Sequence, residues 1–208
     1  MKFDLERTHE LAALFEVPRA ERGDAWADAF FAAVPDASLA AGDPQVIGGP
    51  DGFPYFRLRL PDEGPFETFC VTHVLDACLE NGFGIVVTAA GPQPEWVFTY
   101  GDLWSFASTG RFVVSTGETT TLEAPRQVLV GAPSDTTLPA YARGALRRAL
   151  AAQGVTDPLV FLVHAPGNDP EQAFAFRPLP DPQALLWYLP RHYALMSAPD
   201  DWAEGEPL

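Results

Sequence analysis

An α+β fold is predicted for this chain, with two strand–helix–hairpin copies of one unit sharing a mixed or antiparallel sheet. The first observation is that residues 66–106 alternate between helical and strand patterns, which is typical of mixed folds. The second is that the same order of elements returns 72 to 76 residues later. We therefore expect a single domain over residues 1–208, with copies at residues 54–106 and 126–190 and two extra helices and a connector in residues 1–53.

The two extra helices precede the first copy. Apolar residues recur every three or four positions in residues 5–15 and 21–34, the spacing that lines one face of a helix. Pro35 ends the second helix, because proline lacks the N–H that the helix needs. Residues 36–52 are rich in Ala, Gly, Pro and Asp, which indicates a connector with a candidate strand at residues 45–47.

The first copy opens with a strand and a helix. Apolar and basic side chains alternate over residues 55–61, the pattern of a strand with one solvated face. Residues 66–80 then carry an apolar stripe at helical spacing that includes Cys70 and His73. Gly82 follows, and a glycine there closes a helix end by taking the left-handed conformation.

A buried strand and an aromatic strand complete the first copy. Residues 85–90 form an apolar run with β-branched residues, which is typical of a strand covered on both faces. Glycine and proline in residues 91–94 predict a turn. In the returning strand Trp96, Phe98 and Tyr100 fall on one face, because side chains alternate along a strand.

The second copy repeats this order. Its strand and helix keep an offset of 72 residues, and its hairpin keeps an offset of 76. It comprises a strand at residues 127–133, a helix at 138–153, a strand at 159–164, a turn at 167–170 and an aromatic strand with Phe174 and Phe176. Two such units can share a core, whereas one helix covers three strands poorly.

Three further segments lie outside the predicted strands and helices of the copies. Residues 110–124 are rich in Thr and indicate a strand and loop. Asp181 followed by a proline predicts the start of a short helix over residues 182–189. Residues 200–208 are acidic, and we expect this tail to be frayed.

The chain is strongly acidic. It carries 28 Asp and Glu against 13 Lys and Arg, a formal charge of -15, and Lys2 is its only lysine. Such a surface repels nucleic acid and anionic lipid, so we expect neither as a partner. The charge fits a solvated surface that aids solubility, and it also fits docking onto a basic protein. No apolar run reaches bilayer-spanning length and the first residues lack a secretory signal pattern, so we expect a cytoplasmic protein.

Both cysteines are predicted to be free thiols. Two are too few for a disulfide scaffold, and eight helical residues would hold Cys70 and Cys78 about 12 Å apart, beyond disulfide reach. One hypothesis makes Cys70 a nucleophile with His73 as its base, since the two fall one turn apart on a helix. The other places both in the core, where cysteine behaves as a small hydrophobe.

No metal or cofactor site is predicted. The sequence shows no glycine-rich phosphate loop and no nucleophile elbow. The residues that could bind a metal lack the close spacing of a zinc motif. They are Cys70, His73, Cys78, His164 and His192.

Two sets of charged residues each allow a structural interpretation. Asp102 precedes an apolar turn and is expected to cap a helix over residues 103–106. Arg143, Arg147 and Arg148 fall together on the second predicted helix. They would hold an anion or form an exposed face that balances the acidic chain.

The aromatic residues are the main candidates for a binding surface. They are Trp96, Phe98, Tyr100, Trp104, Phe174 and Phe176. If the N-terminal helices cover them, they form part of the core. If not, an apolar surface of this size implies a protein partner or a ligand groove.

Part of the second copy resembles a known family. The sequence VLVGAPSDTTLPAYARGALRRAL, residues 128–150, followed by Val155 and the strand at residues 159–164, is similar to the C-terminal region of SseB-like bacterial proteins. There a short strand ending in Gly-x-Pro leads into a helix and then a buried strand. The resemblance covers about a fifth of the chain. It implies a non-enzymatic bacterial cytoplasmic protein, sometimes associated with secretion or toxin systems, and it supplies no catalytic residues.

Three functional hypotheses follow. The first is a non-catalytic acidic module that binds another protein, in an accessory, immunity or secretion-associated role, with a homodimer as one form of partnership. The second is a cysteine-dependent enzyme that uses Cys70 and His73. The third is a small-molecule binder between the two copies.

Overall fold

The computed structural model describes residues 4–50, 52–62, 64–89, 91, 93–112, 128–166, 172–203 and 205–208. The chain divides into two compact units, Met1–Thr99 and Tyr100–Leu208. The described residues contain six α-helices and two mixed sheets, which confirms the predicted α+β class. The predicted turn at residues 167–170 and most of the predicted strand and loop at residues 110–124 lie outside the described residues.

The first unit combines three α-helices with one mixed five-stranded sheet. Its elements are α1 (Leu5–Phe15), α2 (Asp24–Ala33), β1 (Leu39–Gly48), β2 (Pro54–Arg59), β3 (Thr68–Phe69), α3 (Val71–Asn81), β4 (Gly84–Thr88) and β5 (Pro94–Phe98). The strand order is β3–β1–β2–β4–β5, and only β2 and β4 are parallel. The predicted connector therefore contains a ten-residue strand, β1, instead of three strand residues.

Local sequence sets the ends of two helices in this unit. The Asp4 carboxylate accepts hydrogen bonds from the backbone N–H groups of Glu6 and Arg7, which caps α1. Gly82 has φ of 77° and ends α3 as predicted. The start of α3 differs from the prediction, because β3 pairs with β1 where helix was expected. Backbone pairing in the sheet outweighs the helical spacing of those residues.

The second unit also combines three helices with a mixed sheet. Its elements are α4 (Tyr100–Thr109), β6 (Leu129–Gly131), α5 (Ala140–Ala152), β7 (Leu159–His164), β8 (Gln172–Arg177), α6 (Pro182–Leu186), β9 (Tyr193–Ser197) and β10 (Glu206–Pro207). The order is β10–β7–β8–β9, and β6 also pairs with β7. Tyr100 thus begins a helix, whereas the sequence predicted that it ends the aromatic strand.

The predicted duplication is not confirmed. Both units contain the order strand, helix, strand, strand, but β2 runs parallel to β4 whereas β6 runs antiparallel to β7. The strands also form two separate sheets, so the prediction of one shared sheet is wrong for the described residues. The spacing of apolar residues predicts which segments are strands, and it carries no information about the direction in which they pair.

The predicted frayed tail is ordered by pairing and burial. In β10, Glu206 and Pro207 pair with Val160 and Leu159 of β7. Leu208 is only 3% exposed, and its N–H donates to the carbonyl of Pro158. The apolar side chains and the edge of β7 hold this segment in place despite its acidic composition.

Candidate functional site

The aromatic residues of the first unit are covered by helix α2. Phe30 lies 5.2 Å from the Trp96 ring and 6.0 Å from the Phe98 ring, centroid to centroid. Trp26 contacts Trp96 at 5.9 Å, and Phe98 has no exposed surface. Of the two hypotheses for this face, coverage by an N-terminal helix is the one that the structure shows.

The other predicted binding residues belong to the core of the second unit. Tyr100, Trp104, Phe174 and Phe176 are each at most 2% exposed. The rings of Trp104 and Phe174 lie 6.0 Å apart, and Tyr193 packs 4.6 Å from Phe174. Their predicted role as an exposed surface does not fit this burial. Periodicity identifies an apolar face but does not tell whether another element covers it.

Cys70 and His73 do not form a nucleophile and base on one helical face. Cys70 is the residue before α3, is 1% exposed, and its Sγ lies 3.1 Å from Thr72 Oγ1. His73 is exposed and stacks on Phe69 at 5.8 Å. The burial of Cys70 and the exposure of His73 favour the core interpretation of Cys70.

The remaining thiol and the candidate metal ligands also lack the properties of a reactive centre. Burial raises the pKa of Cys78 to about 12, which keeps its thiol protonated. Among the described residues, no group of three or more His, Cys, Asp or Glu side chains is placed to hold a metal ion. This observation covers His164 and His192 as well as the two cysteines.

Asp102 has a different role from the predicted helix cap. It lies inside the first turn of α4, is buried, and accepts two hydrogen bonds from Arg191. Arg191 Nε lies 2.8 Å from Oδ1 and Nη2 lies 3.2 Å from Oδ2. A two-pronged pair of this kind fixes the loop before β9 against α4, both within the second unit.

Arg143 and Arg147 of the predicted arginine trio bind their own chain. Arg143 donates to the carbonyls of Leu138 and Pro133, and it pairs with Glu206 at 3.1 Å. Arg147 donates two hydrogen bonds to the carbonyl oxygen of Leu208. These contacts correct the expectation of an exposed basic face or an anion site for these two residues. No sequence pattern marks these contacts, because most of the partners are backbone carbonyls.

Arg22 makes several contacts beside a notch in the first unit, and we call this set of contacts the clamp. Arg22 donates to the carbonyls of Val17 and Phe15, and its guanidinium lies 4.7 Å from the Trp26 ring centre. Its Nη1 is 2.8 Å from Glu95 Oε2. A cavity of about 360 Å³ adjoins these residues. Because each of the three guanidinium nitrogens already contacts a protein group, this arrangement joins α1, α2 and β5 rather than presenting a free cation.

Comparisons of the chain with protein-family models, with curated proteins and with solved structures found no match. They therefore neither support nor contradict the resemblance to SseB-like proteins, which stays a prediction. In the part of the chain that the structure describes, no helix is long and apolar enough to cross a membrane. The cytoplasmic location stays a prediction as well.

Negative charge is unevenly divided between the two units. The first unit has 16 acidic and six basic residues, a formal charge of -10, and the second has 12 and seven, a formal charge of -5. Residues 4–36 alone contain eight acidic residues and three arginines. We name this stretch the acidic helical segment. Most of its carboxylates are exposed, namely Glu6, Glu10, Glu16, Glu21, Asp24, Asp28 and Asp36.

Proposed function

We propose that this protein is a non-catalytic interaction module that binds a basic partner protein through the acidic helical segment. The observation that carries the proposal is the excess of exposed carboxylates over arginines in residues 4–36. The three arginines there contact protein groups already. Arg7 pairs with Glu10, Arg19 donates to the carbonyl of Pro94, and Arg22 forms the clamp.

The burial of the aromatic residues supports the same choice of surface. The sequence predicts two candidate binding surfaces, the aromatic face and the acidic surface. Because the aromatic face is covered, we choose the acidic surface. Charge complementarity gives such an interface fast association and discrimination between partners more than raw affinity. The implied role, accessory to secretion or to a toxin system, rests on the SseB-like resemblance alone and is part of the proposal.

The test compares two charge-neutralised variants of the full-length chain. Glu6→Gln/Glu16→Gln/Glu21→Gln removes three exposed carboxylates from the acidic helical segment. The control, Asp135→Asn/Asp157→Asn/Asp181→Asn, removes three exposed carboxylates from the second unit and none from residues 198–208, so both variants have the same net charge. The asparagine that replaces Asp181 can still cap α6. Proteins retained by the immobilised wild-type chain are identified and purified, and their affinities for all three chains are measured at two salt concentrations.

We expect at least one basic protein whose affinity falls about tenfold with the first variant and less than about twofold with the control. Its binding to wild type should weaken as salt rises, because exposed charges are screened. Equal losses in the two variants would show that only net charge matters. That result, or the absence of any basic binder, would contradict the proposal.

A further inference from the structure

Residues 198–203 and 205–208 cross one face of the second sheet, and we call residues 198–208 the strap. The strap leaves the edge strand β9 at Ala198, whose N–H donates to the carbonyl of Phe176. It reaches the other side of the sheet at β10, which pairs with β7. The face beneath it contains Phe161, Val163, Ala173 and Ala175. This apolar face is therefore covered by a segment whose only regular structure among its described residues is a two-residue strand.

Most polar contacts of the strap are made through its backbone. Arg177 donates to the carbonyls of Pro199 and Trp202, at 2.6 and 3.0 Å. Arg147 donates to the carbonyl of Leu208. Any extended peptide presents carbonyls at these intervals, so these donors do not require the sequence of this particular segment.

Two side-chain positions of the strap give selectivity. Trp202 packs edge-on against Phe161 at 5.5 Å between ring centres. Gly205 lies against the same ring, and a Cβ added there would lie 2.4 Å from Phe161 Cζ. We call the face beneath the strap the seat. It therefore accepts a large aromatic residue and requires a glycine three positions later.

Charge and space around the seat indicate what else an occupant needs. Arg143, Arg147 and Arg177 contact the strap from the seat. The strap sequence contains four acidic residues and no basic one. Glu206 pairs with Arg143 at 3.1 Å. At the Leu208 end a cavity of about 270 Å³ adjoins the seat, so the strap does not fill this end completely.

We propose that the seat is a peptide-binding groove for an extended acidic segment of a partner protein that carries a tryptophan and, three residues later, a glycine. The described residues of the strap occupy the groove within the same chain and keep it closed. A tethered segment competes at an effective concentration on the order of millimolar, so a free peptide binds well only when the strap is weakened. This groove lies in the second unit and takes an acidic ligand, so its test is independent of the proposed basic partner of the first unit.

The experiment uses a fluorescent, C-terminally amidated peptide with the sequence of residues 198–208 and measures its anisotropy with full-length protein. Amidation keeps the carbonyl that Arg147 contacts and removes any terminal charge. Trp202→Ala removes the aromatic anchor of the strap without adding atoms, and Gly205→Ala displaces the strap sterically. Gly131→Ala is the matched control, because a Cβ at Gly131 meets no atom within 4 Å.

We expect the folded Trp202→Ala chain to bind the peptide about tenfold more tightly than wild type or Gly131→Ala, since it lacks its own anchor. Gly205→Ala should behave like Trp202→Ala if it folds. A peptide with alanine in place of its glycine, and a scrambled peptide of equal charge, should bind at least about tenfold more weakly. The proposal is overturned if the folded Trp202→Ala chain binds no better than wild type, or if the scrambled peptide binds equally well.

Discussion

In the first unit a ten-residue helix covers the aromatic face of the sheet, whereas in the second unit an irregular strap covers a face with one aromatic ring, Phe161, among smaller side chains. Helix α2 places Phe30 among the rings of Trp26, Trp96 and Phe98, and Phe30 has no exposed surface. The strap contributes a half-buried tryptophan and a glycine, and arginines bind its carbonyls. Aromatic packing of a helix gives a fixed cover, whereas backbone contacts on an apolar face give a cover that, under our proposal, a similar segment can replace.

Replacing Phe30 should produce the largest effect on stability. Phe30→Ala should lower the free energy of unfolding by about 3–5 kcal/mol, because a buried ring is lost and a cavity remains among five aromatic neighbours. Trp202→Ala should cost clearly less, about 1–2 kcal/mol, since its side chain is half-buried. Urea unfolding followed by circular dichroism measures both. Equal losses in the two variants would show that the strap is as integral to the fold as α2.

The sequence predicts the cover of the first unit but not that of the second. The spacing of Trp26 and Phe30 predicts a helix with one apolar face, and the alternation of Trp96 and Phe98 predicts a strand that needs a cover. The strap could not be predicted, because most of its polar contacts are made by backbone carbonyls such as that of Pro199, which no sequence pattern marks. Its acidic composition even predicted fraying.

The failures concerning the candidate site have the same origin. Cys70 fits the helical spacing of α3, but the pairing of β3 with β1 places it just before the helix, away from the exposed His73. Whether an apolar stripe faces a partner or the interior depends on contacts between segments distant in sequence. The α+β class follows from local patterns, whereas the direction of strand pairing and the burial of the aromatic residues do not.

Two arginines test the contrast between the two covers, with expected losses of unfolding free energy smaller than that of Phe30→Ala. Arg22 and Arg177 each donate to two backbone carbonyls and lie over an aromatic ring, at 4.7 and 5.4 Å from its centre. Arg22→Ala should lower the free energy of unfolding by about 2–3 kcal/mol, because it also leaves Glu95, whose side chain is 15% exposed, without its closest cation.

Arg177→Ala should cost only about 1 kcal/mol of global stability and should instead speed amide hydrogen exchange in residues 198–208. Arg19→Ala is the control for the first unit. The Arg19 side chain is 59% exposed, and we expect a loss of about 0.5 kcal/mol. If Arg177→Ala destabilised the whole chain as much as Arg22→Ala, without selective exchange in the strap, the two covers would not differ in the way we describe.

A rise in pH from neutrality should have the smallest effect on stability of all the changes considered. It acts on buried thiol and phenol groups in the interiors of the two units. Burial raises the pKa of Cys78 in the first unit to about 12, and it raises the pKa values of Tyr100, Tyr188 and Tyr193 in the second. The folded state binds these protons more tightly than the unfolded state does. Their contribution to stability is therefore complete below the unfolded pKa values, about 8.5 for Cys and 10 for Tyr, and is lost as pH rises above them.

Urea midpoints should be unaffected by these groups up to about pH 8 and should fall between about pH 9 and 11. Tyrosinate absorbance should appear with the loss of structure for the buried tyrosines, and the less stable Trp202→Ala chain should reach this onset at a lower pH than wild type. If they ionised with an ordinary pKa while the chain remained folded, these tyrosines would be open to solvent and the described packing around Phe174 would be incorrect.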